Sequence, residues 1–151
     1  SYWFKQAVAL TDMLMDNKEE AAAKLMSSML KQYISVRNSG SEYYYHAFLL
    51  GILSMAGFSR GIEIEEEMET GKGFSDIVLR QRDTAVILEL KKGGNSFKGC
   101  TDACKSAVGQ IIEKDYARRF IDEEYAEVYG IGIGFGGKDC VMQSLGNLAE
   151  K

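Results

Sequence analysis

Apolar residues recur at helical spacing through the first third of the chain and then give way to alternation. Residues 3–15 are mostly apolar. Asn17 with Glu20 three positions later forms an N-cap pattern, and Ala22, Leu25, Met26, Met29, Leu30, Tyr33 and Ile34 then repeat every three or four positions, which predicts a helical hairpin. Arg37 to Gly40 interrupt it. A third helix is expected from about Ser41 to Ala56, apolar on nearly every side and therefore buried, with Gly57 as its end. Between residues 61 and 69 the period falls to two: Ile62, Ile64 and Met68 take one side, and Glu63, Glu65, Glu67 and Glu69 form an acidic outer face. Past Gly71 and Gly73, the stretch GFSDIVLRQRDTAVILELKKG reads as two strands and a short turn. Gly93, Gly94 and Asn95 precede a helix from about Thr101 to Ile121, whose inner stripe is Cys104, Ala107, Val108, Ile111, Ile112, Tyr116 and Phe120. A strand over 126–135 follows, with Gly130, Gly132, Gly134 and Gly136 on one face, a pattern that lets a helix or another backbone approach closely. A short final strand is expected around Cys140 to Met142.

The strand pair carries an anomaly. Glu89 and Lys91 share a face with Ala85 and Ile87, while Val86, Leu88 and Leu90 take the other, so a charged pair interrupts an apolar strand. If the turn is Arg82 and Asp83 alone, residue 81 pairs with 84 and Asp76 falls opposite Glu89. A four-residue turn makes the two acids diagonal on one face, and an odd-length turn sends Asp76 to the other face and leaves Glu89 and Lys91 as an ordinary exposed pair. Facing carboxylates, with Cβ atoms roughly 5 Å apart, repel each other unless a proton or a cation lies between them.

Composition narrows the chemistry. With 151 residues, 46% apolar and 11% aromatic, the chain suits one globular domain. It has no run near the eighteen apolar residues of a membrane span and no secretion signal, so no membrane role and a cytoplasmic location are expected. It opens on Tyr2, Trp3 and Phe4 without an initiator Met, as a domain cut from a longer chain would. Three cysteines and one histidine, His46, supply neither a disulfide framework nor a zinc quartet, which leaves carboxylates as the plentiful reactive groups. A net charge of −4 opposes indiscriminate binding to phosphate backbones, so any nucleic-acid contact is local and cation-assisted. The acidic face from Glu63 to Glu69 is then expected to point away from such a substrate.

The order helix, three antiparallel strands, helix, strand, with D…ExK on the second and third strands, resembles the PD-(D/E)XK nuclease superfamily. More narrowly, SEYYYHAFLLGIL, EMETGKGFSDIVL, AVILELKK and YGIGIGFGGKDC look like four ordered segments of the nuclease-like domain found C-terminal to an AAA-like ATPase domain in bacterial and archaeal proteins. Phe74 stands where that group usually carries Arg. The resemblance implies an α/β, restriction-endonuclease-like core over residues 39–151, with an N-terminal helical segment, 1–38, packed on it. It also implies metal-dependent phosphodiester hydrolysis, DNA being the expected nucleic acid, and an upstream ATPase domain as partner; many nucleases of this fold form homodimers, but no residue here marks a dimer face, so that state is left open.

Carried over residue by residue, the resemblance makes Asp76 and Glu89 ligands of Mg²⁺ or Mn²⁺, Leu90 a carbonyl donor and Lys91 the group that orients water or stabilises charge. Glu42 matches a further acid on the first core helix; the competing role is a capping box with Ser39. His46, one turn on, is either part of the site or a buried partner of Glu42. Gln110 resembles the Gln that follows the ExK strand and is a catalytic candidate on that ground, with Lys114 on its face as a candidate substrate contact, although exposed helix polarity explains both equally well. Lys92 and Lys98, close in sequence to Lys91 and Lys105, are candidate substrate contacts. Tyr116 fits the core stripe and is taken as structural. A catalytically silent nucleic-acid- or partner-binding module is the alternative, and Phe74 with the net acidity favours it. The complete Asp76, Glu89 and Lys91 set argues for chemistry.

Overall fold

The computed structural model describes residues 1–35, 41–68 and 75–150. Helix α1 (Tyr2–Met15) begins at Ser1, whose hydroxyl accepts from the Phe4 N–H, and α2 (Glu19–Tyr33) follows at once. Asn17 does not cap α2 as expected. It lies in the left-handed region (φ 57), which Asn tolerates, and turns the chain between the helices, while its side chain accepts a hydrogen bond from the Ser144 hydroxyl at 2.6 Å.

Helix α3 (Glu42–Arg60) is capped by Ser41, which accepts from the Tyr44 N–H; Ser39, of the expected capping box, lies outside the described residues. The helix also runs past Gly57 and ends at Gly61, whose φ of 67 is the left-handed cap conformation that glycine adopts at least cost. Gly57 serves packing instead: a Cβ there would sit 3.1 Å from Ile64 Cδ1.

The strands are β1 (Glu63–Met68), β2 (Ser75–Gln81), β3 (Thr84–Lys92), β4 (Glu127–Gly136) and β5 (Asp139–Asn147), and they form one sheet in sequence order. Neighbours are antiparallel except β3 and β4, which are parallel and joined by α4 (Phe97–Glu113) and α5 (Arg118–Asp122). The expected order of helix, three antiparallel strands, helix and strand is therefore present as α3, β1 to β3, α4 and β4. The last strand is longer than expected.

Alternation divides the sheet between two cores. Ile77, Leu79, Val86, Leu88, Leu90, Ile131, Ile133 and Phe135 pack with α1, α2 and α3. Ala85, Ile87 and Val128 meet Ala117 and Phe120 on the other side. The glycines of β4 let α4 lie directly on the strand: a Cβ at Gly132 would be 2.8 Å from Val108 N, and one at Gly134 would collide with the Cys100 carbonyl.

The helix expected to reach Ile121 breaks after Glu113. Asp115 takes a positive φ of 51, and α5 then turns so that Phe120 covers the second core. No Gly or Pro marks this break. All three cysteines are free and buried, and no helix among the described residues is long and apolar enough to cross a membrane.

Gly132→Ala is expected to cost about 1–3 kcal/mol in urea denaturation, because its methyl would overlap Val108. Gly51→Ala on α3, where nothing lies within 4 Å, is expected to stabilise by about 0.5–1 kcal/mol.

Candidate metal centre on the β2–β3 hairpin

Gln81 pairs with Thr84, so the turn contains only Arg82 and Asp83, with Arg82 in the left-handed region (φ 56). Of the three turn lengths open to the sequence, this is the one that sets Asp76 directly opposite Glu89. Both acids face the α4 side, and both are buried, at 7% and 1% exposure. Two full charges roughly 5 Å apart repel by about 3 kcal/mol at an effective dielectric constant of 20. Lys91, two residues on and on the same face, reaches helix α4, where its Nζ donates to the Ser106 hydroxyl at 2.7 Å. Leu90 buries its side chain in the opposite core, so its contribution on this side is limited to backbone.

Glu42 comes to the end of β3 from α3. Its Oε1 accepts the Lys92 N–H at 3.0 Å. Burial pushes its carboxyl above the ordinary value, against the Lys92 hydrogen bond and the charges of Lys91 and His46. It does not join the acid pair: among the described residues no three His, Cys, Asp or Glu side chains are grouped as a metal site. The expected trio of Glu42, Asp76 and Glu89 is thus a pair with Glu42 engaged beside it.

His46 is buried and lies 2.8 Å from Glu66, not from Glu42, and so ties α3 to β1. Glu66 is on the inner side of β1 with Ile64, and Glu65 is on the outer. The expectation that this acidic face points away from the site fails. Glu65 pairs with Val78, two residues along β2 from Asp76, so Glu65 lies on the face that carries the acids. Its charge is locally compensated: Glu65 meets Arg80 at 2.7 Å and Arg119 at 2.6 Å, and the Arg119 hydrogen bond holds its carboxyl below the ordinary value.

A cavity of 210 Å³ opens beside Asp76, bordered by Glu65, Lys114, Tyr116 and Arg119. Lys114 reaches it, while Gln110 remains on α4, outside its lining. Tyr116 packs against the second core, as expected of a structural residue, but it reaches there past the break at Lys114 and Asp115 rather than along a continuous helical stripe, and it also borders this cavity. Burial pushes its phenol up to about 12; Lys114 opposes the rise, and the charges of Glu89 and Asp76 add to it, so near neutral pH Tyr116 is a hydrogen-bond donor at the cavity wall. Arg119 and Ser106 escaped the sequence reading, and Tyr116 enters it only as structural, since each arrives through a helix break or a tertiary contact that no local motif signals. Lys98 forms an exposed i,i+4 pair with Asp102 at 2.7 Å, and the Lys92 ammonium donates to the Gly93 carbonyl at 3.2 Å; neither lines the cavity. Phe74 lies outside the described residues.

The model of the PD-(D/E)XK nuclease superfamily matches residues 40–144. The chain belongs to that superfamily. No curated protein and no solved structure matches it. Members of the PD-(D/E)XK superfamily are generally metal-dependent nucleases, and nucleic acid is the substrate class that membership implies. The match runs from just before α3 into β5; α1 and α2 precede it but share the first core. The donor set fits the superfamily's typical divalent ions: two buried carboxylates face one another with no sulfur ligand, an arrangement suited to a hard cation.

Because the fold favours the neutral form of Glu42, its contribution to stability is greatest below the ordinary value of 4.5 and declines as pH rises through the higher folded value. Glu42→Gln keeps an oxygen for the Lys92 N–H and removes that decline. In metal-free buffer, the variant's Tm relative to wild type is expected to rise between pH 4 and 7; a flat or falling difference contradicts the assignment.

Proposed function

We propose that this chain is a Mg²⁺- or Mn²⁺-dependent nuclease domain that hydrolyses phosphodiester bonds, with DNA as the principal substrate. The observation that carries this reading is the hairpin register: two buried acids face each other, with a lysine on the same strand face. Asp76, Glu89 and the Leu90 carbonyl would hold the ion. A bound divalent ion lowers the pKa of attacking water and neutralises charge developing on phosphate.

The side chains around it have separable tasks. Lys91, steadied by Ser106, presents an ammonium beside the acids to orient water and stabilise negative charge. Tyr116 offers an O–H and Lys114 a cation at the cavity where a phosphate would enter. Glu42 holds the end of β3, and with it the direction of Lys91 and Lys92. Gln110, farther along α4, stays a catalytic candidate on the resemblance alone. The resemblance to domains beside an AAA-like ATPase supports a place in a longer ATPase-linked protein. A silent binding module is the rival reading, favoured by the engagement of Glu42 with Lys92, which leaves only two carboxylates at the pair.

Digestion of supercoiled plasmid and of single-stranded oligonucleotides separates the two. Cleavage is expected only with Mg²⁺ or Mn²⁺, and Lys91→Ala is expected to slow it by about 10²–10³-fold, the usual effect of removing one charge-stabilising group. Metal-dependent cleavage that survives both Lys91→Ala and Glu89→Gln undiminished would overturn the assignment of the site; no cleavage by the intact chain would favour the silent module.

A further inference from the structure

A second concavity, of 460 Å³, lies between α2 and the starts of α4 and β5, away from the acid pair. Lys24, Ser28 and Lys31 run along its α2 wall, and Phe97 stands at its other side. Lys24 and Lys31 are two helical turns apart, about 10.5 Å. Both are exposed, and neither is held in an ion pair among the described residues. Phe97, the first residue of α4, is 72% exposed, so the face of its ring is open to a planar ligand in the groove. Asp139 is the one acid among the lining residues.

The groove and the acid pair share one end of the sheet. Lys92 is level with Phe135, and Phe135 with Cys140, which lines the groove. Asp76 and Glu89 lie three residues short of that level, and β2 and β5 are three strand spacings apart, about 14 Å. Charge is distributed accordingly. Lys91, Lys92 and Lys138 gather at this end, whereas Asp122, Glu123, Glu124 and Glu127 approach the opposite end, where Glu127 pairs with Thr84. On a chain of net charge −4, this groove is a basic, aromatic-flanked channel.

We infer that this groove binds single-stranded nucleic acid, the lysines meeting phosphates and Phe97 stacking on a base. The combination of a cationic track with an exposed ring is how unpaired strands are held without sequence preference, and a duplex, whose bases are already stacked, has no use for the ring. The inference deepens the proposed nuclease function: the strand that reaches the acid pair continues across the end of the sheet into this channel.

Fluorescence anisotropy of labelled oligo(dT), and of a duplex of equal length, in EDTA tests it independently of cleavage. Wild type is expected to prefer the single strand. Lys24→Glu combined with Lys31→Glu should weaken binding at least tenfold and reduce the slope against log salt by about 1.4, two phosphates at 0.7 each. Phe97→Ala should weaken single-strand binding about tenfold and leave duplex binding unchanged, and Lys5→Glu, outside the groove, should do nothing. Preference for duplex, or single-strand binding indifferent to all three groove substitutions, would overturn the inference. Groove-dependent binding by a chain that never cleaves would sink the nuclease assignment and leave the channel standing.

Discussion

Arg82 and Asp83 alone make the turn between β2 and β3, and the period of two along each strand transmits that choice to Asp76 and Glu89. One residue more in the turn would send Asp76 to the other face, into the core formed with α1 and α3. The register instead forces two carboxylates together in a buried position, an unfavourable contact by about 3 kcal/mol at an effective dielectric constant of 20 unless positive charge attends it. The surroundings supply that charge in graded form. Lys91 stands beside the pair, Lys114 borders the adjoining cavity, and Arg80 and Arg119 compensate the glutamates of β1 that share the face.

The same face depends on how closely α4 can approach. The glycines of β4 have no Cβ to hold the helix away, so α4 rests on the strand backbone and Ser106 comes within reach of Lys91. Where α4 ends, the positive φ of Asp115 redirects the chain; Tyr116 turns to the cavity and Phe120 closes the second core. Packing and site are therefore built by one element. A substitution that lifts α4 from β4 would destabilise the protein and displace Lys91's partner together.

Much of this was legible in the sequence because the features are local. Counting outward from a two-residue turn places Asp76 against Glu89, alternation assigns Glu89 and Lys91 to one face, and glycines at period two announce a close approach. What escaped was decided by distant contacts. Nothing near Asn17 says that it will reverse the chain and meet Ser144. Gly57 looks like a stop, yet α3 continues to Arg60, and the bare backbone at Gly57 leaves room for Ile64 of β1. Glu42 has the spacing of a ligand, but the N–H it binds belongs to Lys92, fifty residues on. The acids of β1 alternate like a solvated face, and only the sheet register sets Glu65 beside the cavity, where Arg80 and Arg119 compensate it.

A divalent ion held between Asp76 and Glu89, as proposed, would stabilise the folded chain by linkage, by about 2.7 kcal/mol when free ion reaches a hundredfold excess over Kd. The most direct measurement is therefore thermal unfolding with and without millimolar Mn²⁺, for wild type, Asp76→Asn and Glu89→Gln. Wild type should melt several degrees higher with the ion, and neither variant should respond. An unchanged wild-type Tm, or an equal rise in all three proteins, would contradict a cation held between these two acids.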